Sequence, residues 1–240
     1  MLRSRAVLKK RAKDEAEKPF WISFADLMTA LMVLFLVVMS VALLSVTKTV
    51  SEAERIKAQR ERDIDALLEK VKQATDHYPG ITVDKNRNVI DFGDRARFDS
   101  ASHQLSQEQA KLLRAFVPEV LTIAQDDLGK RWLKRIVVEG FTDQRGTYLY
   151  NLNLSLQRSQ RVLCVLLAPP FPDEISMSQE QLEQIRELFL VGGYSFNSAK
   201  ASFEESRRIE LRLEFLSSDE QRSSNEGMPR GNFGPCALGN

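Results

Sequence analysis

Ile22–Val46 reads ISFADLMTALMVLFLVVMSVALLSV, an apolar run of about 25 residues in which Asp26 is the one charge. A helix needs about 20 such residues to cross a hydrocarbon core about 30 Å thick, so this run spans a bilayer with some tilt. A secretory signal would carry a shorter apolar region of about 7–15 residues closed by a small-residue cleavage site, and this run has neither feature. A core helix of a soluble domain is seldom apolar for so long. We expect a transmembrane helix over residues 21–46, and its internal acid is the first candidate functional group.

The flanks set an orientation. Arg3, Arg5, Lys9, Lys10, Arg11, Lys13 and Lys18 crowd the arm formed by residues 1–20. On the other side Lys48, Glu52, Glu54 and Arg55 show no basic excess. Basic flanks are retained in the cytoplasm, so the N-terminus is expected there and everything after about residue 47 across the membrane. A net charge of +1 over 240 residues leaves no basic footprint for nucleic acid, and no such partner is expected.

Thr47–His77 has neither Gly nor Pro and reads as helix up to the turn signal Pro79-Gly80. Val46, Val50, Ala53, Lys57, Arg60, Ile64, Leu67, Val71 and Ala74 follow the four-and-three spacing of a coiled-coil stripe, interrupted by Lys57 and Arg60. Residues 47–79 are therefore either a solvated connecting helix or a weak parallel dimer contact. Beyond them the pattern alternates. Ile81–Val83 and Asn88–Phe92 read as strands, and Ser106–Ala124 as an amphipathic helix with a capping box of Ser106 and Gln109. Arg135–Glu139 reads as a strand, Gly140–Tyr150 as a loop, Leu152–Leu167 and Gln179–Leu188 as helices, and Arg208–Phe215 as a closing strand. Such alternation predicts an α/β domain over residues 80–216, with helices packed on one face of a mixed sheet. Residues 217–240 are rich in Ser, Gly, Asn and Pro and read as a flexible tail.

An acid in a spanning helix costs about 2.5–3.5 kcal/mol near the bilayer centre and less toward an interface, so it is kept where it faces protein or a water-filled path. Thr29 and Ala30 lie one turn from Asp26 and make that side small and weakly polar, which suits a neighbouring helix better than lipid. Snorkelling to the headgroups, or pairing with a basic residue, remains open from position alone. Trp21-Ile22-Ser23-Phe24-Ala25-Asp26-Leu27-Met28-Thr29 resembles the membrane signature of MotB-type stator subunits. The resemblance implies that Asp26 is the ion-binding residue of a rotary motor. It also implies two copies of this chain, a homodimer, inside a ring of five MotA-like (ZorA-type) subunits.

In the outer domain, Asp143 follows a strand and Arg158 lies in the next helix, so the two opposite charges can face one cleft. A carboxylate and a guanidinium together match a zwitterion, taking its ammonium and its carboxylate respectively. An internal ion pair between them would use the same spacing. Glu139-Gly140-Phe141-Thr142-Asp143, then Gly146, Asn151, Leu154-Ser155 and Arg158, resembles the signature of OmpA-like peptidoglycan-binding domains. Phe98–Ala101, Leu105, Gly193-Tyr194 and Ser206–Glu210 extend it. The resemblance implies that Asp143 and Arg158 hold diaminopimelate of a cell-wall peptide, with Thr142, Asn151 and Leu154 shaping the pocket. Departures lie at its rim. Ser206 stands where the family usually has Asn, Ser195-Phe196-Asn197 replaces a Gly-Glu-x-x-Pro run, and residues 168–188 look inserted.

Cys164 and Cys236 both fall on the outer side, where an intrachain bridge, an intermolecular bridge and two free thiols are all open. His77 and His103 are isolated, so no metal site is expected. Without a Walker-type loop or a nucleophile elbow, neither an enzyme nor a cofactor is expected. Three functions fit: a stator-type subunit like the membrane subunit of Zorya-type anti-phage defence, which the short arm, insertion and polar tail resemble most; a flagellar stator subunit; and a passive tie between inner membrane and wall. The carried ion could be H⁺ or Na⁺, and H⁺ is preferred.

Overall fold

From Trp21 to Thr75 nothing in the sequence breaks a helix, and the helix runs unbroken. The computed structural model describes residues 14–170, 176–222, 231 and 233–239, and has one continuous helix, α1, over Asp14–Thr75. The basic arm over residues 1–13 lies outside the described residues, and α1 already includes the last part of the expected arm. The apolar part of α1 reaches a mean hydropathy of 2.8 over its best 18-residue window, long and apolar enough to cross a membrane. The chain divides into two compact units, Met1–Ile56 and Lys57–Asn240.

Unit 2 therefore begins inside α1, about 20 residues before the turn at Pro79-Gly80 that sequence suggests as its edge. Leu67, Leu68 and Val71 are buried in its core, with Ile64 packed against them. The lower part of the coiled-coil stripe is thus covered by the chain's own domain and is unavailable to a partner helix. Polar contacts fix the same segment. Arg60 Nε donates to the Leu216 carbonyl at 2.7 Å, Trp132 Nε1 donates to Asp63 at 2.9 Å, and Lys70 pairs with Asp126 at 2.5 Å.

The sheet follows. β1 (Thr82–Asp84) and β2 (Val89–Asp91) form a hairpin whose turn is closed by Asp84 Oδ1 accepting from the backbone N–H groups of Asn86 and Arg87. Helix α2 (Gln107–Gln125) carries the expected Ser106–Gln109 capping box and buries Leu113, Phe116, Val117, Val120 and Leu121. A short helix, α3 (Asp127–Trp132), leads into β3 (Leu133–Gly140); then come α4 (Tyr148–Leu167), α5 (Gln179–Leu188) and β4 (Phe189–Gly193). A single turn, α6 (Phe203–Ser206), precedes β5 (Ile209–Phe215). The strand order is β1-β2-β5-β3-β4, antiparallel except for the β3–β4 pair, so the sheet is mixed as expected.

Alternation decides the two faces of the sheet. Ile136, Val138, Leu211 and Leu213 are fully or nearly buried beneath the helices. Their neighbours Arg135, Glu139, Glu210, Arg212 and Glu214 lie on the opposite face. There Glu139 and Glu210 sit directly opposite each other in register, both fully buried, which would be repulsive without cations. Arg212 pairs with Glu139 at 2.5 Å, Arg208 with Glu210 at 2.8 Å, and Arg87 also reaches Glu210.

The structure differs from the sequence reading at three places. α4 starts at Tyr148 and not Leu152, because Thr147 caps it by accepting from the Tyr150 backbone N–H. β4 and α3 lack the length or alternation that announces an element, and both exist through pairing or capping: β4 beside β3, α3 on its N-cap Asp126. The tail is docked wherever it is described. Arg222 donates to the Leu133 carbonyl, and Arg161 donates to the carbonyls of Gly239 and Leu238 at 2.8 and 3.2 Å. A disulfide joins Cys164 to Cys236.

Candidate functional site

The site is built where β3 ends. Gly140 and Gly193 are register partners at the ends of the parallel strands β3 and β4. A Cβ on Gly140 would lie 1.9 Å from the Ser155 carbonyl oxygen, and one on Gly193 2.8 Å from the Leu156 nitrogen. Both positions must be glycine for α4 to lie this close to the sheet. That close approach carries Asn151, Leu154 and Arg158 to the strand ends.

The loop after β3 is held by main-chain bonds: Phe141 N–H to the Arg208 carbonyl at 3.0 Å, and Thr142 N–H to the Ser195 carbonyl at 2.9 Å. Gly146 takes a left-handed turn (φ 97°), and Asn151 Nδ2 fastens the loop by donating to the Arg145 carbonyl at 2.8 Å. Thr142, Asp143, Asn151, Leu154 and Arg158 all line one cavity of about 200 Å³, together with Ser100, Ala101, Arg145, Gly146 and Tyr150. All five residues expected to form the pocket are therefore in one place.

Their partners differ from a simple pair. Arg158 is fully buried and donates to three carbonyls: Nε to Ser102 at 2.9 Å, Nη1 to Phe141 at 2.7 Å and Nη2 to Asp99 at 3.0 Å. Its Cζ lies 4.9 Å from the Phe98 ring centroid. No carboxylate among the described residues forms a salt bridge with it. Burial pushes the Arg158 guanidinium down to about 10, with Arg207 nearby acting in the same direction, so it stays charged at neutral pH. Asp143 nearby opposes that shift without reaching salt-bridge distance, and a buried, hydrogen-bonded cation with no direct carboxylate partner, facing a cavity, is a place for an anion.

Asp143 pairs with Arg145 (Nη2 to Oδ2, 2.7 Å) and with Arg207 (Nη1 to Oδ2, 3.2 Å). Burial pushes its carboxyl up, but hydrogen bonds from Arg145 and Arg207 outweigh burial and hold it at about 2. The Thr142 hydroxyl is buried with no hydrogen-bond partner among the described residues. Sequence reasoning missed Arg145 and the role of Arg207. The Asp143-x-Arg145 spacing ahead of a left-handed glycine was the available signal for the first; the second is 64 residues from Asp143 and left none.

Asp26 is exposed on α1, and its side chain has no partner among the described residues. Thr29 Oγ1 donates to the Ala25 carbonyl, and Ser40 and Thr47 donate one turn back in the same way, so these hydroxyls are satisfied within the apolar stretch.

Residues 6–59 match the family described as membrane MotB of the proton-channel complex MotA/MotB. The Zorya protein ZorB of Escherichia coli O139:H28 is 51% identical over 216 residues, which cover 90% of this chain and 88% of that protein. Among solved structures, the OmpA-like domain of FopA1 from Francisella tularensis subsp. tularensis SCHU S4 aligns at 18% identity and a TM-score of 0.37, over 57% of this chain and 83% of that one. The periplasmic domain of Helicobacter pylori MotB aligns at 19% identity and a TM-score of 0.36, over 55% and 78%. With half its residues shared along nearly its whole length, the chain belongs to the family of the Zorya protein ZorB.

Proposed function

We propose that this chain is the wall-anchored stator subunit of an inner-membrane, ion-driven complex of anti-phage defence, with Asp26 carrying the ion. The observation that carries the reading is the pairing, in one ZorB-family chain, of a lone carboxylate in an apolar helical stretch with a cavity that holds a buried guanidinium without a salt bridge among the described residues. The N-terminus lies in the cytoplasm and unit 2 in the periplasm. Two copies of the chain stand inside a ring of five MotA-like subunits. A proton passes Asp26 and the ring turns, while unit 2 holds the chain to peptidoglycan.

At the wall, the carboxylate of a diaminopimelate side chain sits against Arg158 and the Thr142 hydroxyl, and its ammonium turns toward Asp143. Asn151 and Leu154 fix the loop and the apolar wall between them. Asp26→Asn keeps the size of the side chain and removes its charge. Cells carrying it should lose protection against phage, counted as plaques, while protein level and sedimentation with purified peptidoglycan stay unchanged. Normal protection would remove the ion role and leave the passive tie. Thr142→Val should reduce sedimentation with the wall; unchanged binding would remove the cavity assignment.

A further inference from the structure

The ammonium position of the cavity is already occupied. Asp143 Oδ1 accepts from the Arg145 backbone N–H at 3.0 Å; Arg145 Nε is shared between Oδ1 and Oδ2, at 3.3 Å from each; Oδ2 also accepts Arg145 Nη2 at 2.7 Å and Arg207 Nη1 at 3.2 Å. A carboxylate offers about four acceptor positions, and these contacts fill them. We propose that Arg145 is a resident cation that must leave Asp143 before an ammonium-bearing wall peptide can bind, so that this loop arginine sets the affinity of the site. The inference rests on the wall-binding reading above.

Arg145 and Arg207 hold Asp143 differently. Arg207 is part of the frame: its side chain is 12% exposed, and its Nε donates to the Phe98 carbonyl at 2.9 Å. Arg145 is 52% exposed, and its other contacts are weak: the Ser100 hydroxyl at the edge of the cavity, at 3.2 Å, and the face of the Phe203 ring, 4.8 Å from its Cζ. Phe203 is itself half exposed. The guanidinium can therefore swing off Asp143 while keeping Ser100 and Phe203, a hydroxyl and a π face that both accept a cation. Arg207 would remain.

Charge orders the events. Two carboxylates, Asp143 inside the cavity and Glu204 outside it on Arg207, stand among three guanidinium groups, Arg145, Arg158 and Arg207, a surplus of one positive charge, and Arg158 is the one of the three with no salt bridge among the described residues. The hydrogen-bonding groups left over are donors on Arg158 and the hydroxyl of Thr142. The ligand's carboxylate is the group the empty cavity attracts, and the ammonium follows only as Arg145 departs. Arg145 is a competitor of the ligand's ammonium and no ally of its carboxylate.

The test uses the full chain in detergent micelles and two probes, the tripeptide L-Ala-γ-D-Glu-meso-diaminopimelate and the same tripeptide acetylated on its free side-chain amine, titrated by calorimetry. Arg145→Gln should bind the free-amine peptide about tenfold more tightly than the parent chain, one charge-assisted contact released from competition. It should show no gain for the acetylated peptide. Weaker or equal binding of the free-amine peptide by Arg145→Gln, with the acetylated peptide still bound as by the parent chain, would overturn the proposal while leaving the wall-binding reading intact. An equal gain for both peptides would overturn it too, since the ammonium would then be irrelevant. If the parent chain binds neither peptide, the wall-binding reading fails and the proposal with it. Should Arg145→Gln lose both through collapse of the loop, Arg145→Lys decides. It keeps the charge without the fork, and must still gain selectively for the free amine.

Discussion

Arg158 holds a charge in the interior with carbonyls where a carboxylate would be expected. Removing it leaves the buried Phe141 carbonyl and the part-buried carbonyls of Ser102 and Asp99 without their donor. Each orphaned group costs about 1–3 kcal/mol, so Arg158→Ala should destabilise unit 2 by about 3–5 kcal/mol in urea unfolding of the full chain. Loss of wall binding by that variant would then report on folding as much as on contact, and Thr142→Val is the cleaner probe. Asp143 gives a pH signature. Its folded pKa of about 2 lies below the ordinary 3.8, so the stability from its ionised form is complete above about pH 4 and is lost as pH falls through 2. Thermal midpoints should decline over that window, and Asp143→Asn should flatten the decline. That Asp143 and Arg158 share one cavity was legible in the sequence, because a loop and the helix it feeds return to the same strand end. That they do not pair was not legible. The partners of Arg158 are backbone carbonyls and those of Asp143 are Arg145 and Arg207; all but the local Arg145 are brought in by tertiary closure.

At the scale of elements, hydrophobic spacing finds a helix but cannot say which surface covers its stripe. Leu67 and Val71 in α1 satisfy a coiled-coil pattern, yet they are 1% and 2% exposed under the domain's own core. Leu67→Ala should therefore cost unit 2 about 2–5 kcal/mol, seen as a lower urea midpoint. A stripe that faced only a partner helix would leave the domain's own midpoint unmoved. β4 shows the complementary case. Phe189–Gly193 is five residues with two glycines at its end, weak as a strand by composition, and it exists because β3 lies beside it in parallel register. In the described part of the tail, composition is likewise an incomplete guide. Its Ser and Gly content suggests freedom, but the Cys164–Cys236 bridge closes a loop of 72 residues. Chain entropy for such a loop gives about 4 kcal/mol at most, and measured bridges often give less. Cys236→Ser should lower the stability of unit 2 by about 2–4 kcal/mol and speed hydrogen exchange in the segment over residues 233–239.

For the whole molecule, the useful boundary lies within a helix. Composition places the edge of the outer domain at Pro79-Gly80, the only turn signal between the membrane run and the first strand. Packing places it at Ile56/Lys57, since Leu67, Leu68 and Val71 belong to the core of unit 2. A helix shared in this way lets one unbroken element serve two solvents, lipid at one end and a protein core at the other. Its sequence changes character accordingly, from all-round apolar to one apolar face. The boundary makes a prediction about parts. A chain starting at Lys57 retains every core residue of unit 2, so it should be soluble, unfold cooperatively and sediment with purified peptidoglycan. A chain starting at residue 80 loses those three side chains, together with the Asp63–Trp132 and Lys70–Asp126 contacts. Three large buried side chains contribute about 1.5–3 kcal/mol each, comparable to the whole net stability of a small domain. The shorter chain should therefore be largely unfolded or aggregated at 25 °C by circular dichroism and gel filtration. Equal stability of the two would mean that the helix only rests on the domain, and the edge at Pro79-Gly80 would then be the right one.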